Sequence, residues 1–402
     1  MNTYNETTTF INRGEPKFYF TFYTETYISK IFQLIKIVAY EMSECSSDVF
    51  DNIERATWEG GVPVMLSLSP MSLSSATMPA PVHKIIPRHS YLHIALQEEV
   101  RTLHQYAPVS FSGKLLQNSE GNGLVTNASI AEDDSVNGDG DGNRDTEGEA
   151  NKAQFLDTKN QITKPSSGDS DKDGQKVDSP YPICWFEDIE TGTPLRWYLF
   201  IGLIYDLIRI RKSSNCQESF KQFLLPWKIR VHFTSYPEYL LPLCTLGKDD
   251  VMHSIFQHYL NSLKQSIYLQ HNSSRIAKNM NKQSHVDLWE AIVTNQWEPS
   301  FRRISMELNG NKNGNDLIMN NVPIRILVDG KPAFSRPCKQ LTSEGKRLTV
   351  GYVLRECLPT LFEKKFHWCI QGVDVGFDHP VDEIWRVFRH PDRFLYILVS
   401  CG

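Results

Sequence analysis

No uninterrupted apolar run of the roughly 20 residues needed to cross a bilayer occurs in this 402-residue chain. The nearest approach, residues 18–40, is broken by Glu25, Lys30 and Lys36. It also lacks the basic start and small-residue cleavage site of a signal peptide. Cys-x-x-Cys pairs are missing too. The eight cysteines (Cys45, Cys184, Cys216, Cys244, Cys338, Cys357, Cys369 and Cys401) stand far apart, mostly in apolar surroundings. That spacing argues against a zinc site or a disulfide framework and for buried thiols in a reducing compartment. In such a compartment the sequons at Asn5, Asn127 and Asn272 carry no glycan. A concentrated basic stripe is also absent, so no nucleic-acid partner is expected. The formal charge of −5 is unevenly spread. Residues 131–178 hold 13 acidic and 6 basic side chains, which leaves the remainder at about +2. A mildly basic remainder tolerates an acidic membrane surface without requiring one.

What the chain does have is apolar and aromatic material, 40% and 11% of its residues, enough for two or three cores. Residues 1–54 read as an N-terminal extension outside the fold, with Met42 available as an alternative start. A helix touching membrane within 18–40 is the competing reading. From 108 to 179 the composition turns to Gly, Asp, Ser, Asn and Lys, too polar to offset chain entropy, and a disordered acidic insertion is expected. Inside it, Asp169, Asp171, Asp173 and Gly174 match the first half of a calcium loop. Position twelve is Pro180 rather than a bidentate Glu, so no metal site is expected.

The insertion splits a first domain into 55–107 and 180–246. Trp58–Leu68 alternates like a strand, residues 92–106 read as a helix, and Cys184–Leu207 holds an apolar strand, a turn at Thr191-Gly192-Thr193-Pro194, a second apolar run and a helix. A further strand, Leu225–Phe233, opens with a proline. Residues 247–305 form a helix-rich domain. There Met252, Ile255, Phe256, Tyr259, Leu260, Leu263 and Ile267 share one arc about 140° wide. The stretch His271–Ser274 breaks this helix, and Ser284 with Asp287 resembles a capping box for the next. After a polar linker, 306–319, residues 320–402 read as β-β-α-β-β with a hairpin at Asp329-Gly330-Lys331. The fold class expected is α+β: two ubiquitin-like β-grasp domains flanking a helix-rich one.

Three segments carry a family likeness: Glu190–Trp197 (ETGTPLRW) with Ile201–Leu207 (IGLIYDL), Leu225–Phe233 (LPWKIRVHF), and Pro87–Leu92 (PRHSYL). In these the chain closely resembles the autophagy protein 5 family. The resemblance covers most of 58–402 outside the insertion and is strongest at 184–236. It implies a non-catalytic protein that accepts the ubiquitin-like autophagy protein 12 on one lysine. It further implies binding of a helix of the coiled-coil autophagy protein 16 in a groove between the domains. Such a conjugate acts like an E3 ligase with the conjugating enzyme of autophagy protein 8, promoting lipidation at the isolation membrane. The expected location is cytoplasmic and peripheral at that membrane, and no metal or cofactor is implied.

Helical geometry puts Lys264 on the rim of the polar face of the first long helix, beside Gln257 and Asn261. Geometry alone leaves Lys248, Lys278 and Lys282 as rivals. The resemblance singles out Lys264, in Leu263-Lys264-Gln265 ahead of Leu288-Trp289, as the isopeptide acceptor. Two other readings stand beside it: a static adaptor, and a thiol enzyme. Against the latter, Cys184, Cys244 and Cys369 sit in hydrophobic segments as buried structural cysteines do. The terminal Gly402 does not make the chain a transferable modifier, because the apolar run 394–399 leaves no flexible tail.

Overall fold

The computed structural model describes residues 47–107, 181–215, 225–242, 251–308, 321–363 and 366–401. The insertion, the expected helix in 18–40, and Lys248 lie outside them. The first sheet is built from β1 (Gly61–Leu68), β2 (Val82–Pro87), β3 (Trp185–Asp188), β4 (Thr193–Pro194) and β5 (Trp227–His232). Their order is β2-β1-β5-β3-β4, with β1 parallel to β5 and the remaining pairs antiparallel. Val62, Val64, Leu66 and Leu68 of β1 are buried while Met65 and Ser67 are half-buried, the period-two pattern of a strand with one face on a core. Helix α1 (Ser47–Trp58) precedes the sheet. α2 (Leu92–Ala95) and α3 (Gln97–His104) follow β2, and α4 (Ile201–Asn215) connects β4 to β5.

The expected helix over 92–106 is thus two short helices meeting at Leu96, whose backbone (φ −112°, ψ 17°) is not helical. The second apolar run after the turn also differs from a strand. Thr193 and Pro194 pair with β3, and the last bond to that strand is from Leu195 N to the Phe186 carbonyl at 2.8 Å. Beyond them Trp197 Nε1 donates to the Pro242 carbonyl at 2.9 Å and Arg196 donates to the Gly330 carbonyl, so this run reaches outward. The turn itself is organised by buried Asp188, which accepts from Thr191 N at 3.0 Å, Thr191 Oγ1 at 2.6 Å and Trp227 Nε1 at 2.9 Å. Gly192 supplies the positive φ, +65°.

The helical domain comprises α5 (Val251–His271), α6 (Arg275–Asn279), α7 (Lys282–Thr294), a wide turn Trp297–Phe301 and α8 (Arg302–Leu308). Asn272, at φ 53°, ends α5 where the break was expected. The cap of α7 is not the one the Ser284/Asp287 spacing suggested. Asn281 Oδ1 accepts from Ser284 N at 2.6 Å, while Asp287 is taken up by Gln283 at 2.6 Å and Arg303 at 3.2 Å. Replacing Asn281 by alanine should therefore cost about 1 kcal/mol in urea unfolding. An equal loss from Ser284→Ala with none from Asn281→Ala would contradict the assignment.

The second sheet contains β6 (Asn321–Val328), β7 (Lys331–Lys339), β8 (His367–Cys369) and β9 (Leu395–Ser400), ordered β7-β6-β9-β8 with β6 parallel to β9. Helices α9 (Val350–Cys357) and α10 (Val381–Phe388) accompany it. Asp329 and Gly330, at φ 48° and 77°, form the tight hairpin expected from their sequence. This order repeats the first four strands of the first sheet, and both are β-grasp arrangements. No helix among the described residues is long and apolar enough to cross a membrane.

One expectation fails for residues 47–54. Far from lying outside the fold, α1 places Ile53 at 3% exposure in the core of the second β-grasp domain, with Ile324, Ile384, Trp385 and Phe388, and packs Phe50 against it. Asp51 pairs with Arg302 at 2.8 Å and Glu54 with Arg389 at 2.7 Å. The helix was missed because its apolar positions become meaningful only against residues some 270 or more positions later.

Candidate conjugation site

Eleven residues of α5 are buried, among them Ile255, Phe256, Tyr259, Leu263 and Ile267 of the expected arc. Asn261, Lys264, Gln265 and Tyr268 form the exposed stripe opposite. Lys264 enters no ion pair among the described residues, and its positive charge is felt by His285 on α7. Burial holds that imidazole below its ordinary range, the Asn281 carbonyl opposes the effect, and the Lys264 charge adds to it. Of the rival lysines, Lys278 and Lys282 are exposed as well, so exposure does not separate the three.

What distinguishes Lys264 is the anchoring of the backbone beneath it. Ser262 Oγ donates to Asp392 Oδ2 at 2.5 Å, and Ser266 Oγ donates to the Asp392 carbonyl at 2.6 Å. Tyr396 adds its hydroxyl to the same Oδ2 at 2.6 Å. Arg325 on β6 donates to Ser262 at 2.8 Å, Tyr396 at 2.9 Å and Gln265 at 2.7 Å, and its guanidinium lies 3.7 Å from the centre of the Phe394 ring. The turn of helix bearing Lys264 is thus joined to the second β-grasp sheet on both sides of the lysine. Charge-assisted bonds of this kind exceed neutral ones in strength and fix geometry. By contrast α6, which carries Lys278, has no buried residue.

Among the described residues, Cys184, Cys338, Cys357 and Cys369 are buried. Cys184 lies 3.7 Å from His93 Nδ1 and 3.8 Å from the Tyr181 hydroxyl, a Cys–His proximity that sequence spacing did not reveal. Burial lowers the His93 imidazole to about 3, so no imidazolium is present to favour a thiolate. Cys184 itself is 2% exposed. Burial also drives the Cys369 thiol well above its ordinary value and the Cys338 thiol to about 12. Cys244 lies outside the described residues. Among the described residues no group of three or more His, Cys, Asp or Glu could hold a metal ion.

Two β-grasp domains bracketing a helical bundle define a scaffold of the ubiquitin-like superfold, with a lysine presented on the bundle. Sequence profiles of one family match each part: "Autophagy protein ATG5, UblA domain" over 57–120 and 169–233, "alpha-helical bundle region" over 252–309, and "UblB domain" over 321–399. The chain belongs to the autophagy protein 5 family. Autophagy protein 5 of Aspergillus terreus is 24% identical over 382 residues, covering 87% of this chain and 96% of that protein. Its counterpart in Aspergillus clavatus is 29% identical over 248 residues, 52% of this chain and 74% of the other. The crystal structure of Kluyveromyces marxianus Atg5 superposes with a TM-score of 0.55 at 17% identity, over 87% of this chain and 99% of that one, a likeness of fold.

Proposed function

We propose that this protein is the acceptor of autophagy protein 12, joined through an isopeptide bond between the modifier's C-terminal carboxylate and Lys264 Nζ. The conjugate binds a helix of autophagy protein 16 in a groove between the domains. It then works as an E3-like complex with the conjugating enzyme of autophagy protein 8, promoting transfer of that protein to phosphatidylethanolamine during autophagosome formation. Cytoplasm-to-vacuole transport belongs to the same role. The chain supplies position rather than a nucleophile for that second transfer, so proximity and orientation are its contribution. It works without catalytic groups of its own, in the cytoplasm and peripherally at the preautophagosomal structure and isolation membrane.

The observation carrying this reading is an exposed lysine, without an ion pair among the described residues, on a helix fixed at Ser262, Gln265 and Ser266 to a second domain. A nucleophilic amine must reach a thioester-charged enzyme, and a rigid mount lowers the entropic cost of aligning it. In a denaturing, reducing immunoblot of starved cells, the wild-type chain should give a second band heavier by one small modifier. Lys264→Arg should abolish it. Persistence of the band in the variant moves the acceptor to one of the neighbouring lysines, Lys248, Lys278 or Lys282. Absence of the band from both lanes favours a non-covalent adaptor.

A further inference from the structure

Three polar side chains from the two β-grasp domains meet in the interior where those domains touch. His89 follows β2, Gln371 sits in the turn after β8, and His390 follows α10. All three are buried, His390 to 1% exposure. The Gln371 amide nitrogen donates to His89 Nε2 at 2.8 Å and lies 3.3 Å from His390 Nδ1. It is also 3.4 Å from the Phe388 carbonyl oxygen, which favours this amide orientation over its flip, because oxygen would then face oxygen. The imidazoles are edge-to-face with centroids 5.2 Å apart. With Nε2 of His89 accepting, its proton resides on Nδ1. That atom, Gln371 Oε1 and His390 Nε2 are buried with no partner among the described residues.

Among the described residues neither imidazole of the cluster is hydrogen-bonded to a carboxylate. The Arg88 charge acts on both rings, and one carboxylate oxygen of Asp206 on α4 is paired with it. Glu54, which shares a small cavity with Trp58, His89 and Arg389, is paired with Arg389. Asp392 is occupied by Ser262 and Tyr396, and Arg393 by Gln270 at 2.9 Å. Phe200 and Tyr396 supply aromatic contacts to His390, at 5.3 and 4.8 Å between centroids. A protonated ring here would lie near a guanidinium and a second imidazole, and protonation of the nitrogen that accepts from Gln371 Nε2 would remove that bond.

We propose that His89, Gln371 and His390 form an acid-sensitive latch: at neutral pH the shared amide holds the two β-grasp domains together, and proton uptake by the histidines opens that seam. Burial, with Arg88 adding to it, holds the His89 imidazole at about 3, and burial with His89 and Arg88 holds His390 well below its ordinary value. The closed seam therefore binds fewer protons than an open one in which both rings meet water. Its stabilisation is complete above about pH 6.5 and declines as pH falls through that value. Each histidine exposed on opening raises the open population up to about tenfold per pH unit below there, and the pair up to about a hundredfold.

Amide hydrogen exchange on the full chain, corrected for the intrinsic pH dependence of exchange, tests this. Between pH 7.5 and 5.5 protection should fall steeply in peptides over 86–91, 369–373 and 388–391, and far less in β6. Unchanged seam protection overturns the proposal, and so does a uniform loss that includes β6. In the double variant His89→Gln/His390→Gln the seam should become insensitive to pH over this range. A wild-type pH dependence in that variant also overturns the latch. If the variant does not fold, the comparison of seam with β6 in the unaltered chain decides alone.

Discussion

Replacing Asp392 by alanine is expected to cost about 3–5 kcal/mol of stability and to loosen the Lys264 helix from the second β-grasp domain. One carboxylate oxygen accepts from Ser262 and Tyr396, with Arg325 Nη1 3.6 Å away, while the other lies 3.3 Å from Phe394 N. Alanine leaves the Arg325 guanidinium, which is three-quarters or more sheltered (side-chain exposure 19%), without its counter-charge, and leaves two hydroxyls without their acceptor. Asp392→Asn preserves shape and one acceptor and should cost less. Urea unfolding gives the stability change. The band immunoblot gives the consequence for function: in Asp392→Ala the conjugate should be reduced although Lys264 is intact. Lys264→Arg should do the reverse, removing the band with stability changed by no more than about 0.5 kcal/mol, as for an exposed site. A fully stable Asp392→Ala protein would mean the anchoring network contributes little.

Asp206→Ala should be similarly severe, again about 3–5 kcal/mol, because it strands a buried arginine. Arg88 and Asp206 have side-chain exposures of 9% and 1%. Burial pushes the Asp206 carboxyl up and Arg88 pulls it back. Gly372 closes the pair from the other β-grasp domain: a Cβ there would stand 2.8 Å from Asp206 Oδ1, at a φ of +77° that side chains avoid. Removing both charges in Arg88→Met/Asp206→Leu should recover most of the loss, since apolar replacements of a buried pair are often neutral or better. Thermal unfolding of the two single variants and the double variant forms the cycle. Additive losses in the double variant would show that the pair is not coupled.

Sequence order carried the local features well. The apolar arc of α5, the Asp329-Gly330 turn and the exposure of Lys264 each depend on residues within a few positions of one another, so periodicity and turn chemistry reveal them. What spacing could not reveal were the partners that lie far apart. Ser262 and Asp392 are 130 positions apart and His89 and Gln371 are 282 apart. No local pattern distinguishes Asp392 from an ordinary surface carboxylate. The cap of α7 was misassigned for a different reason: Asn281 and Ser284 both satisfy cap chemistry, and only the 2.6 Å bond separates them. Likewise the run Leu195–Phe200 is apolar enough for a strand, and its diversion follows from Arg196 and Trp197 finding partners at Gly330 and Pro242. The family likeness, carried by ETGTPLRW and its neighbours, selected Lys264 among lysines that helical periodicity alone does not separate.

The parallel pairing of β1 with β5 joins Val64 to Trp227 and Leu68 to Val231. On a ribosome this means that the first β-grasp domain cannot finish when its first half emerges. β1 and β2 must wait, with one edge of β1 unpaired, until residues beyond 232 have been made. The helix before them waits longer, because Ile53 rests against strands from the far end of the chain. The first β-grasp domain can thus close only after its last strand is made, and α1 docks only once the second domain exists. The number of residues between the two halves matters little to that closure, at about 0.6 kcal/mol per doubling.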